Sequence, residues 1–179
     1  MKNGVFDHLL YRAPRELRDV TWFDSNFAQN PEDRLSISGC HETIDGRCVI
    51  HTTSQGQKTI SKSTSEAEYT AGSYAANGIV LTTNLIEELM GEGELKKPAE
   101  FIGDNQGALY LMNNMQVDQR TKHIDIKAHW LRQEIRRKTL KTKFTPSEDM
   151  VADIDTKNTD EKTFMRHATF KRYGENLLK

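Results

Sequence analysis

A chain of 179 residues is long enough for one domain around an enclosed apolar core, and its 25 Lys and Arg against 26 Asp and Glu leave a formal charge of -1. No apolar run approaches the length that spans a bilayer, and the opening MKNGVFDHLLYRAPRELRD lacks the sustained apolar core of a secretory signal. A soluble protein of the cytoplasm or nucleus, with no membrane partner, is the expectation.

In chain order, DVTWFDSNFA from Asp19 reads as a first strand, RLSISGCHETI from Arg34 as a second, and RCVIHTTS from Arg47 as a third. Asp45-Gly46 between the last two is a two-residue hairpin signal. That turn would set Thr43 opposite Cys48 and Cys40 opposite His51. The two thiols then cannot pair, and Cys40, His41, Cys48 and His51 do not form a four-ligand zinc site.

From Ser65 to Met90 the pattern turns helical, with Ala67, Ala71, Ala75, Ile79, Leu85 or Ile86, and Leu89 as an apolar stripe. Gly72 and Gly78 weaken that helix locally and mark close packing. GEGELKKP ends it, AEFIG reads as a short buried strand, and NQGALYLMNN as a helix. A longer helix carries Ile124, Ala128, Leu131 and Ile135 on one face, LKTKFTP is a last strand, and Ser147 opens a short helix through EDMVADI. Strands, helix, strand, helices, strand and helix in this order fit an α/β fold, a mixed β-sheet flanked by helices. The tail from Asn158 could add another helix.

Near-neutral net charge hides a local excess. Between Arg120 and Lys143 nine basic residues stand against Asp125 and Glu134, which favours a polyanion on one face, with a solvated basic helix as the alternative. Trp130 within it suits a core position or base stacking. His123 and His129, six apart, do not share a helix face as metal ligands would.

Four carboxylates sit at element boundaries: Asp24 after VTWF, Glu68 in the first turn of the long helix, Asp104 at the tip of EFIG, and Asp153 in the last short helix. Hard divalent cations take several oxygen ligands, which carboxylates on separate rigid elements can supply. Each also has a purely structural reading. Asp24 could begin a loop, Glu68 could complete a capping box with Ser65, Asp104 could cap the next helix, and Asp153 could face solvent.

The motifs WFDSNFA, SISG, STSEAEYTA, GDNQGALYL, RTKHIDIKAHWLRQEI and SEDMVADIDTK, in order from about Thr21 to Asn158, resemble the ribonuclease H domain of copia-type retrotransposon polyproteins. The resemblance implies a ribonuclease H-like domain over 19–158, with 1–18 as a remnant of the connection from a reverse transcriptase and 159–179 as a C-terminal extension. It also implies that Asp24, Glu68, Asp104 and Asp153 bind two Mg2+ ions, replaceable by Mn2+. The implied activity is endonucleolytic cleavage of the RNA strand of RNA:DNA hybrids during reverse transcription, alongside a retroelement reverse transcriptase and in a retroelement particle.

For the hybrid, Ser25, Asn105 and Gln106 are polar groups near the acidic motifs, and Lys122, His123, Lys127, Arg132, Arg136 and Arg137 are phosphate contacts. A catalytically inactive nucleic-acid-binding remnant is the alternative function, and an integrase-like strand-transfer centre is the weaker one. Two residues depart from the family pattern: Asn26, where an acid is common, and Asp155, where ADILTK carries an apolar residue. Asn26 would weaken charge support, and Asp155 would repel the acidic centre or face solvent.

Overall fold

The computed structural model describes residues 16–29, 31–114 and 125–173. Strands β1 (Arg18–Asn26), β2 (Ile37–Ile44) and β3 (Cys48–Gly56) form an antiparallel meander, and β4 (Lys96–Gly103) and β5 (Leu140–Phe144) extend it in parallel. The sheet order is β3-β2-β1-β4-β5. Helices α1 (Thr64–Met90), α2 (Gln106–Asn113), α3 (Asp125–Arg136), α4 (Asp153–Thr156) and α5 (Glu161–Tyr173) flank this mixed sheet. Among the described residues no helix is long and apolar enough to cross a membrane.

Alternation along the central strands divides the core. Phe23, Phe101 and Cys40 join Tyr69, Ala71, Ala75, Ala76 and Ile79 of α1, with Met112 and Leu131 from α2 and α3. Trp22 and Ile102 take the other face, with Met150, Val151, Ala152 and Phe170. This is the period-two geometry of strands buried on both sides. Small residues on α1 bring it close to the sheet. A Cβ on Gly72 would lie 2.6 Å from Met112 Cε and 3.2 Å from the Phe23 ring.

Three expectations are corrected. Beyond Ile79 the buried face of α1 continues through Thr82 and Thr83, while Leu85 and Leu89 point to solvent at 52% and 74% exposure. Seven residues after Ile79 the 3.6 period reaches Ile86, whereas Leu85 and Leu89 fall outside that stripe. In the hairpin Asp45 and Gly46 both take positive φ, but Ile44 pairs with Cys48 and Thr43 with Val49. An irregularity between Glu42 and Thr43 then places Cys40 opposite Thr53, a bulge having added a residue to β3. Both thiols are free. Finally, the segment after β5 begins as a 3-10 turn, Ser147–Asp149, and only Asp153–Thr156 is α-helical.

Beneath α1 lies a buried acidic pair that is separate from the four boundary carboxylates. Glu42, 1% exposed, pairs with Thr21 across the β1–β2 ladder and occupies the space left by Gly78. Asp19, fully buried, accepts a 2.7 Å hydrogen bond from the Thr21 hydroxyl. Burial and then the Glu42 charge push its carboxyl from 3.8 up to about 8. Because Asp19 binds its proton more tightly folded than unfolded, its contribution to stability is fullest below 3.8 and is lost as pH rises toward about 8. Asp19→Asn keeps an acceptor for Thr21 and gives Glu42 a donor. Its stability advantage over the parent protein should therefore grow across that window. Urea midpoints at a series of pH values check this, and a difference that is constant with pH would show that Asp19 titrates normally.

Candidate metal centre

The parallel pairing of β1 and β4 sets Trp22 beside Ile102, so Asp24 and Asp104, each two residues further on, emerge at the same sheet edge. Gly103 permits this tip: a Cβ there would lie 2.6 Å from Phe23 Cζ, within the ring that stacks on Phe101 at 4.3 Å. Asp24 belongs to β1 itself and pairs with Gly39 of β2.

Two caps decide which acids are left for the site. Ser63 caps α1 by accepting from the Glu66 amide at 3.2 Å, while Glu66 Oε2 accepts from the Lys62 amide at 2.8 Å. Ser63 with Glu66 therefore closes the helix start, in place of the expected Ser65 with Glu68, Glu66 reaching the amide one residue before the cap. One turn in, Glu68 is turned toward the sheet, 3% exposed, with Oε1 accepting from the Ser25 amide at 3.1 Å. Asn105 caps α2 through Ala108 and also accepts from the Ser65 hydroxyl, at 2.9 and 3.2 Å. Asp104 is thereby released from the capping role open to it in the sequence.

Asp24, Glu68 and Asp104 converge, each offering a ligand oxygen within 4.8 Å of the others. Asp153 is buried alongside but outside that group, with Oδ1 2.8 Å from Lys157 Nζ. Hydroxyls aim two of the carboxylates: Thr156 donates to Asp24 Oδ2, and Ser147 donates to Asp104 Oδ2 at 2.6 Å. Burial first, relieved by Thr156 and reinforced by the Asp153 charge, raises Asp24 to about 6. Burial and then the charges of Asp24 and Asp104 raise Glu68 to about 9. Glu68 Oε2 is buried without a hydrogen-bond partner among the described residues. Crowded hard oxygens, one of them orphaned, together holding more negative charge than the protein offsets, fit a divalent cation.

The proposed hybrid contacts are dispersed. Ser25 is buried, Asn105 is occupied as a cap, and Gln106 is exposed at the start of α2. Arg132 is 8% exposed and its Nε donates to the Leu111 carbonyl at 2.9 Å, tying α3 to α2. Arg136 is exposed, and Arg137 is exposed while reaching Glu134 at 3.1 Å. Trp130 packs against the core. Lys122 and His123 lie outside the described residues, as does the side chain of Lys127.

The two departures from the family pattern take unexpected partners. Asn26 Nδ2 donates to the Thr156 carbonyl at 3.3 Å, a bond that an ionised acid could not make. Asp155 neither faces solvent nor stands unpaired: its half-buried side chain is packed against Lys171 of α5. Sequence reasoning missed Ser147, Thr156, Lys157 and Lys171. Of these, Lys157 was open to the helical i,i+4 rule from Asp153.

No protein-family model matches the chain. It is 31% identical over 134 residues, 75% of its length, to the retrovirus-related Pol polyprotein from transposon TNT 1-94 of Nicotiana tabacum. It is 29% identical over 146 residues, 82% of its length, to that from transposon RE1 of Arabidopsis thaliana. In both cases the chain spans 10% of the relative's length. The N-terminal ribonuclease H domain of a Mycobacterium tuberculosis protein aligns with a TM-score of 0.56 at 14% identity, covering 86% of this chain and 98% of that one. LC11-RNase H1, in a crystal structure with an RNA/DNA hybrid, aligns with a TM-score of 0.54 at 13% identity, covering 82% and 99%. The chain thus has a ribonuclease H-like fold and is homologous to part of the Pol polyproteins of retrotransposons.

Proposed function

We propose that this chain is a divalent-metal-dependent ribonuclease H, of the copia type, that cleaves the RNA strand of RNA:DNA hybrids during retroelement reverse transcription. The observation that carries this reading is the convergence of Asp24, Glu68 and Asp104 from a strand, a helix and a strand tip. The hybrid held by LC11-RNase H1, a protein of the same fold, supports the substrate class.

Asp24, Glu68 and Asp104 are the metal ligands, and Asp153 completes the acidic edge. Bound there, two Mg2+ or Mn2+ ions supply activation of the attacking water and charge stabilisation at the leaving sugar oxygen. The residues of the chain do the positioning. Thr156 and Ser147 fix the rotamers of Asp24 and Asp104, and the Ser25 amide fixes Glu68. Substrate phosphates meet Arg136 and Arg137, with Lys122, His123 and Lys127 on the same basic segment, and of the three polar groups beside the acidic motifs Gln106 is the exposed one, open to the ribose of the hybrid. The products carry a 3'-hydroxyl and a 5'-phosphate. The setting is intracellular, in a retroelement particle with the reverse transcriptase.

The test is cleavage of a hybrid labelled on its RNA strand. Activity should require Mg2+ or Mn2+, stop with a chelator, and be lost in Asp104→Asn. A folded protein that binds hybrid but cuts it with neither metal would establish the inactive-remnant reading instead.

A further inference from the structure

We infer that Lys171 is a positioning residue for the carboxylate edge, acting through Asp155 to hold α4 and, with it, the Thr156 hydroxyl on Asp24. This rests on the metal-dependent reading of that edge.

Asp155 lies two residues after Asp153 within α4, and its side chain is only 12% exposed. A carboxylate in that position needs a counter-charge, because burial without one leaves it uncompensated. Lys171 supplies it from α5, its own side chain 13% exposed and its Nζ in contact with Asp155 Oδ2. Nor is α5 a loosely tethered helix at this point. Phe170 meets the Trp22 ring edge-on at 5.4 Å, two residues before Asp24 on β1, and His167 is 2% exposed.

The pair then acts on the site through a helix too short to absorb a change. Helix α4 is Asp153–Thr156, one turn, and within that turn Asp155 is followed directly by the residue that bonds Asp24. Its seat against β2 has no slack: a Cβ on Gly39 would lie 2.6 Å from Thr156 Cγ2 and 3.0 Å from Asp155 Cβ. If Asp155 loses its partner and turns toward water, Thr156 must move with it. Lys171 touches none of the edge carboxylates in this scheme. Its influence runs from α5 to α4 to Asp24, so α5 helps to set the geometry of the acidic edge.

The experiment compares the full chain with Lys171→Met, Lys171→Arg and the double variant Asp155→Leu/Lys171→Met, measuring Mn2+ affinity by calorimetry, kcat and KM on hybrid, and the thermal midpoint. Lys171→Met should weaken Mn2+ binding and lower kcat, each about tenfold, with KM within about twofold. Lys171→Arg should retain both, and the double variant, with an apolar pair in place of the ionic one, should recover both to within about twofold of the parent. The inference is overturned if Lys171→Met shifts only the thermal midpoint, or if the double variant stays as impaired as the single one. Should Lys171→Met fail to fold, the Arg and double variants decide the matter by the same two readouts. If the parent binds Mn2+ yet cleaves nothing, the nuclease reading falls and the Mn2+ affinities alone judge Lys171.

Discussion

Replacing Glu68 with glutamine should remove cleavage while making the metal-free protein more stable. Glu68 is 3% exposed, receives one hydrogen bond from the Ser25 amide, and lies against the charges of Asp24 and Asp104. Glutamine retains an acceptor for Ser25 and turns an amide toward the neighbouring carboxylates. The Glu68 carboxyl is raised from 4.5 to about 9, so its contribution is complete below 4.5 and is lost as pH rises through about 9. Glutamine does not titrate, so its advantage should widen across that interval, reaching about 1–3 kcal/mol near neutrality after allowance for relaxation of the site. Catalysis should respond in the opposite direction. Losing one anionic ligand from a metal-assisted phosphodiester hydrolysis should lower kcat on the order of 10^3-fold, or about 4 kcal/mol of barrier. Cleavage of labelled hybrid reads the loss in kcat, and thermal midpoints with and without Mn2+ read the stability gain and the metal binding. The parent should gain stability from the ion and Glu68→Gln should gain little, whereas equal gains would remove Glu68 from the ligand set.

Gly39→Ala should damage the same site without touching a carboxylate. Gly39 pairs with Asp24 in the β1–β2 ladder, and its missing Cβ is where α4 rests. An added methyl would lie 2.6 Å from Thr156 Cγ2 and 3.0 Å from the Ala152 carbonyl oxygen, so one-turn α4 has to lift from the sheet. Overpacking of this kind costs about 1–3 kcal/mol. Displacing Thr156 from Asp24 by a fraction of an ångström or more should also lower kcat by about 10- to 100-fold. Circular dichroism melting and single-turnover cleavage read the two effects separately. Wild-type activity in Gly39→Ala would show that Thr156 does not aim Asp24.

Much of the architecture was legible because its signals are local. Alternation in DVTWF and EFIG and the alanine stripe of SEAEYTAGSYAA report which side of each element is buried. Asp24 and Asp104 could be placed at strand ends for the same reason, each following its apolar run directly. Caps were less legible, because serines crowd the start of α1 and several could serve. Ser63 prevails over Ser65, which bonds Asn105, a partner 40 residues away.

The sequence by itself determined the order of the elements and the mixed sheet, since periodicity and turn chemistry act over a few residues, and it put four carboxylates at element boundaries, which the resemblance alone marked as a set. Only the tertiary structure decided that three of those carboxylates meet while Asp153 pairs with Lys157, that Arg132 is spent on the Leu111 carbonyl, and that Asp155 finds Lys171. These depend on ladder register and on how helices dock across the two faces of the sheet. A single bulge or one missing Cβ alters both, and neither leaves a periodic trace in the chain.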